Sequence, residues 1–199
     1  MSAKAAPSGR RNRFVRRLGL FSLGALLVFP LVSGCESRQA DALIVTKVFD
    51  GDTVLLSSGD KVRLIGIDCP EAYESEKLFR DARRTHNDVE VIKAQGRQAK
   101  EVMVKLAQGK RVMLEYDVER RDQYGRLLAY VYVPLASSST RDAEMFVTEK
   151  DGAPCIFLNA SLLMMGYASP MTIPPNTRYA DLFKSLHHKA RQGRKGLYR

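Results

Sequence analysis

The chain has 199 residues, a formal net charge of +10, three Cys and no Trp. That length suits one domain of ordinary size with short additions and excludes a string of several. Of the +10, six charges (Lys4, Arg10, Arg11, Arg13, Arg16 and Arg17) lie in an acid-free stretch before Cys35, leaving +4 on the body. Such mild basicity tolerates a polyanionic partner without demonstrating one.

Residues 1–34 read as an address. Lys4 to Arg17 is basic, Leu18 to Val32 is apolar, and small residues follow at Ser33 and Gly34; this is the order of a secretory signal. The apolar run holds 15 residues and includes Pro30, short of the roughly 20 that cross a bilayer. Val32-Ser33-Gly34-Cys35 resembles the bacterial lipobox. The resemblance implies acylation of Cys35 and a membrane-anchored lipoprotein of the bacterial cell envelope, with a secreted form as the alternative. The pairs Arg10-Arg11 and Arg16-Arg17 leave the export route open, and Glu36 leaves the destination membrane open. Residues 35–41 are a polar tether, and 42–199 are the folded domain. Cys69 and Cys155 would meet an oxidising compartment, and whether they pair is a matter for geometry.

Within the domain, Ala42 to Phe49 is apolar and β-branched, a first strand. Asp50-Gly51-Asp52 turns the chain into a second strand, Thr53 to Leu56, and Ser57-Ser58-Gly59-Asp60 into a third, Lys61 to Ile67. Alternation puts Arg63 on the face of Ile65 and Ile67. That is either a strand-end residue reaching outward or a charge held in a pocket. Pro70 ends the strand. The charged stretch Ala72 to Lys93 lacks a clean period and reads as a long loop, with a helical turn near Leu78 to Arg84. His86 within it reads as solvated.

Ala94 to Gln108 shows helical periodicity through Ala99, Val102, Met103 and Leu106, closed by Gly109. A fourth strand (Arg111 to Tyr116), a hairpin through Gly125 and a fifth strand (Leu127 to Val133) follow. Pro134 to Pro154 reads as an irregular connection. Ala160 to Met165 forms a short helix, and Arg178 to Gln192 a final amphipathic one, with His187-His188 on its solvated face. No internal repeat is visible. Five short strands with a helix after the third, and two helices at the end, describe an α+β domain: a five-stranded OB-type Greek-key barrel with three helices.

The stretch Val45 to Glu71 concentrates chemistry. It sets Asp50, Asp52, Arg63, Asp68 and Glu71 at turns and strand ends, a pattern suited to a hard cation beside a positive side chain.

The segments DGDT (Asp50 to Thr53), RLIGIDCPE (Arg63 to Glu71) and DQYGRLLAYVY (Asp122 to Tyr132) together resemble the staphylococcal nuclease (thermonuclease) family. The resemblance extends from about Ile44 to Tyr198. It implies Ca²⁺ ligands at Asp52, Asp68 and the backbone carbonyl of Cys69. It further implies catalytic roles for Arg63, Glu71 and Arg126, a supporting acid at Asp50, and Tyr124 beside a bound nucleotide's phosphate. The implied protein is a monomeric Ca²⁺-dependent nuclease acting on DNA or RNA and leaving 3′-phosphates. A non-catalytic OB-type nucleic-acid-binding or interaction lipoprotein is the alternative. The chain departs from the family in having Cys69 where Thr is usual, and in longer segments at Ala72 to Lys93 and Pro134 to Pro154. Basic residues holding a terminal phosphate are left unassigned.

Overall fold

A computed structural model describes residues 42–86, 88–135 and 144–199. The expectations for the signal, Cys35 and the tether lie outside the described residues. Strands β1 (Val45–Val48), β2 (Thr53–Leu56), β3 (Lys61–Leu64) and β4 (Ile67–Asp68) are followed by helices α1 (Glu76–Thr85) and α2 (Val89–Ala107). Then come β5 (Met113–Glu115), β6 (Leu127–Pro134), β7 (Val147–Lys150), β8 (Ala153–Phe157), α3 (Leu158–Met164), β9 (Ser169–Pro170) and α4 (Ala180–Gln192).

The main sheet runs β1-β2-β3-β6-β8-β7, with β5 also on β6. Strand β6 is the spine: its first residues pair in parallel with β3, its middle with β5 and its end with β8. The segment before β5 returns to β1 through Val45 N–H to the Lys110 carbonyl at 3.0 Å and Val112 N–H to that of Leu43 at 2.8 Å. The sheet thus curls toward closure, covering edges that an open sheet would leave unpaired. The architecture is the expected OB-type α+β fold.

The β-branched and aliphatic residues pointing inward are fully buried, among them Val45, Val54, Val62, Ala129 and Val131. Helix α2 caps this interior with Ala99 and Met103, α3 with Leu162 and Leu163, α4 with Phe183. Tyr130, Phe157, Tyr179 and Phe183 meet mainly edge-on or tilted, with Tyr130 and Tyr179 ring centres 4.6 Å apart. Such contacts add about 0.5–1.5 kcal/mol each beyond burial. Asn159, fully buried at the start of α3, donates to the Ile65 carbonyl at 2.8 Å and accepts from Val131 N–H at 3.0 Å. One amide therefore ties the end of β3 to β6. Among the described residues no helix is long and apolar enough to cross a membrane.

Two expectations are corrected and one open question is answered. The stretch Ala72 to Lys93 is not a loop: it holds α1 and the first turn of α2. Ser75 caps α1, accepting from Leu78 N–H at 3.1 Å; Glu76 sits in the first turn and Arg83 and Arg84 in the last, each where the helix dipole favours it. Leu78, completely buried, pins the helix down. Pro134 to Pro154 is not wholly irregular, because its described end forms the β7–β8 hairpin. Asp151 and Gly152 turn it with φ of 51° and 76°, the positive angles a tight hairpin demands. Cys69 and Cys155 are both free and buried.

Candidate functional site

Asp50, Asp52, Arg63, Asp68, Glu71, Tyr124 and Arg126 all line one cleft of about 820 Å³. They arrive from three directions. The β1–β2 turn brings Asp50 and Asp52; strands β3 and β4 and the turn after them bring Arg63, Asp68 and Glu71; and the hairpin before β6 brings Tyr124 and Arg126. Parallel pairing sets Arg63 opposite Leu128, two residues beyond Arg126.

Asp52 is nearly buried and fully engaged. Its Oδ2 accepts from Cys69 N–H at 2.7 Å, and its Oδ1 accepts from the Thr53 hydroxyl at 3.1 Å. Asp50 Oδ1 accepts from Asp52 N–H at 3.0 Å, a local turn that fixes the loop. Arg63 is buried, which settles the alternatives left by its sequence position: it is a charge held inside. Its Nη2 donates to Asp68 Oδ1 at 2.9 Å. Its Nη1 faces Asp52 Oδ1 as an ion pair rather than an aligned hydrogen bond. Burial pushes the Asp50 carboxyl above its ordinary range, against the pull of Arg63. Burial likewise pushes the Cys69 thiol far up, so its side chain is inert and its backbone is what the site uses.

Two glycines allow this crowding. A Cβ on Gly51 would lie 2.6 Å from Cys69 Sγ, and one on Gly96 in α2 would lie 2.3 Å from the Glu71 carbonyl oxygen. The segment from Cys69 to Glu71 is thus seated against bare glycine on two sides, by the Cys69 side chain on Gly51 and by the Glu71 backbone on Gly96.

Across the cleft, Asp122 organises the hairpin. Its Oδ1 accepts from the backbone N–H groups of Tyr124 and Arg126 at 2.9 and 3.0 Å, and its Oδ2 accepts from Arg126 Nε at 2.7 Å. Burial opposes the charge on Asp122, but these bonds outweigh it and hold the carboxyl below its ordinary value. The Arg126 guanidinium lies 5.5 Å from the centre of the Tyr124 ring, which is 75% exposed.

Sequence reasoning missed Lys77 and left Asp122 without a role. Lys77 rises from α1 into the acids: its Nζ is 2.8 Å from Asp68 Oδ1, 3.0 Å from Glu71 Oε1 and 3.0 Å from the Cys69 carbonyl. Burial works against the ammonium, yet Asp68 and Glu71 overcome it and raise its pKa above the ordinary value. The signals for α1 were present in Ser75, Glu76 and the closing arginines; the density of charge hid them.

The donor chemistry suits a hard cation, since carboxylate and carbonyl oxygens converge and cationic nitrogens from Lys77 and Arg63 already sit among them. Among the described residues, no three acidic, His or Cys side chains close into a cage by themselves. A metal here would use Asp52, Asp68 and the Cys69 carbonyl, with water completing its shell.

A family profile described as staphylococcal nuclease homologue matches residues 61–199. The chain is 28% identical over 166 residues to a thermonuclease of Staphylococcus intermedius, covering 82% of this chain and 79% of that protein. A thermonuclease of Staphylococcus hyicus is 24% identical over 169 residues, covering 83% and 80%. The SPbeta prophage-derived endonuclease YokF of Bacillus subtilis is 29% identical over 157 residues, covering 76% of this chain and 42% of that protein. The profile covers more than half of the sequence, and the chain belongs to the staphylococcal nuclease homologue family.

Proposed function

We propose that this protein is a Ca²⁺-dependent nuclease that hydrolyses phosphodiester bonds of DNA or RNA and leaves 3′-phosphates. The observation that carries the reading is the convergence of Arg63, Glu71 and Arg126 with Asp52 and Asp68 on one cleft. Binding nucleic acid without cutting it would not call for a carboxylate among paired arginines.

Phosphoryl transfer is governed mainly by positioning and by charge stabilisation. Arg126 and Arg63 would meet the equatorial phosphate oxygens with planar guanidinium forks, a geometry that an ammonium does not reproduce, Arg63 exchanging its ion pairs with Asp52 and Asp68 to do so. Asp122 fixes Arg126 through its Nε and its backbone N–H. Glu71 orients the attacking water and takes its proton. Ca²⁺, when bound by Asp52, Asp68 and the Cys69 carbonyl, supplies Lewis-acid polarisation of a phosphate oxygen. Tyr124 offers an exposed ring beside Arg126 for the nucleotide.

The reading has the enzyme exported and tethered through an acylated Cys35, as its N-terminal sequence suggests. Fatty-acid labelling lost in Cys35→Ser tests that part. The activity itself is tested by incubating single-stranded DNA with Ca²⁺, with and without chelator. Expected are cleavage, its loss on chelation, and falls of orders of magnitude in Glu71→Gln and Arg63→Ala. Binding without cleavage in Ca²⁺ would favour a binding module instead.

A further inference from the structure

Helix α1 forms a wall of the cleft. Lys77, Arg80 and Arg84 all line that wall, as does Asp81. Positions i, i+3 and i+7 share one face of a helix, so the three cations stand in a row leading away from the acids. At 1.5 Å per residue, Arg80 lies about 4.5 Å and Arg84 about 10.5 Å along the axis from Lys77.

Their commitments differ. Lys77 is held by Asp68 and Glu71. Arg84 donates to Asp81 at 2.9 Å, which offsets part of its charge. Arg80 is exposed and makes no ion pair among the described residues. An unpaired guanidinium one turn from an anchored ammonium, facing a cleft, is aimed at an anion that the protein itself does not supply. The opposite wall carries Arg121, Gln123 and the exposed Tyr124. Arg121 is already bound to Asp60 at 3.0 Å.

We infer that the cleft face of α1, through Arg80 and secondarily Arg84, binds the phosphate of a nucleotide flanking the cleaved bond. The preferred substrate is therefore a polynucleotide strand rather than a short ester. This rests on the nuclease reading and adds a determinant of substrate length to it. Lys77 docks the helix on the catalytic acids, so the row is held in fixed register with the scissile position.

The test compares kcat and KM on a single-stranded DNA of about a dozen nucleotides and on a dinucleotide, across a salt series. Binding is followed by fluorescence anisotropy in a Glu71→Gln background. Arg80→Ala should raise KM and Kd for the longer strand about three- to tenfold, as loss of one charge-assisted contact implies. It should also make the dependence of log affinity on log salt shallower by about 0.7. Arg80→Glu should do more, Arg84→Ala less, and the penalty should shrink on the dinucleotide. Arg83→Ala, the same charge change on the same helix but outside the cleft, should leave both constants unchanged. An Arg80→Ala and an Arg80→Glu protein matching wild type in Kd and salt slope would overturn the inference, as would an equal loss in Arg83→Ala. Wild-type protein that neither binds nor cuts would overturn the nuclease reading and this one with it. If wild type binds without cutting, the anisotropy series alone decides.

Discussion

Lys77 Nζ and Arg63 Nη2 converge on the same oxygen, Asp68 Oδ1, at 2.8 and 2.9 Å. Two cationic side chains therefore compete for a proposed metal ligand, and Lys77 also holds the Cys69 carbonyl. Lys77→Met should raise affinity for Ca²⁺ or its luminescent substitute Tb³⁺. An entering ion would then compete only with Arg63 for Asp68 and with no ammonium for the Cys69 carbonyl, and about 1.4 kcal/mol is tenfold in affinity. Titration by Tb³⁺ luminescence or calorimetry checks this; unchanged affinity would show that Lys77 lies outside the metal's path.

Arg63 is enclosed by Asp52 and Asp68, so its removal leaves buried Asp52 without a cationic partner and Asp68 with Lys77 alone. Arg63→Ala should destabilise the fold by about 3–5 kcal/mol in chelator. Ca²⁺ should restore part of the loss, because it neutralises the same acids. Thermal melts with and without Ca²⁺ read both effects, separately from activity.

Gly96→Ala would ordinarily stabilise a helix interior by about 0.5–1 kcal/mol. Here the added Cβ would meet the Glu71 carbonyl at 2.3 Å, with backbone rather than a flexible side chain as the obstacle. The sign should reverse, with a loss of about 1–3 kcal/mol. Glu71 should move with its backbone, so kcat should fall while KM changes little. A variant with a raised Tm and full kcat would contradict this packing.

Glu115 makes the stability of the fold depend on pH at the acid end. Burial raises its pKa, but Lys150, Arg178, Tyr132 and Tyr179 bond to it and bring the carboxyl down to about 2 from 4.5. A depressed carboxylate contributes stability above its unfolded value that is lost as pH falls through the folded value. Its contribution should be complete above about pH 4.5 and vanish toward pH 2. In Glu115→Gln, the melting temperature should fall at neutral pH and depend less steeply on pH across that window.

What could be read from the amino-acid order depended on how local the signal was. Asp50, Asp52, Asp68 and Glu71 sit at turns within one hairpin-rich stretch, and their grouping was visible without coordinates. Arg63 was ambiguous because alternation says which face a side chain takes, not whether acids await it there. Helix α1 shows in the sequence only as a turn near Leu78 to Arg84, because its apolar content amounts mainly to Leu78 while charge dominates the rest. Lys77 therefore had no visible route to Asp68. The β7–β8 hairpin was obscured by Pro154, which reads as a breaker yet is accommodated in β8 opposite Glu149. Asp122 was quoted within a motif, but its hold on Arg126 depends on Gly125 turning the chain back at φ 78°, a matter of backbone shape.

The parallel pairing of β3 with β6 has a consequence for when activity can arise. Arg63 and Leu128 become neighbours across more than sixty intervening positions, a closure that chains reach late because loop entropy opposes it. The acids and Arg63 belong to a segment that can assemble by local hairpins, whereas Arg126 joins them only once that closure is complete. On the proposed reading, a chain still being synthesised would hold only half of the phosphate clamp and would have no means of cutting. Topology alone would keep such a nuclease silent among the nucleic acids of the cell that makes it until the whole domain has folded.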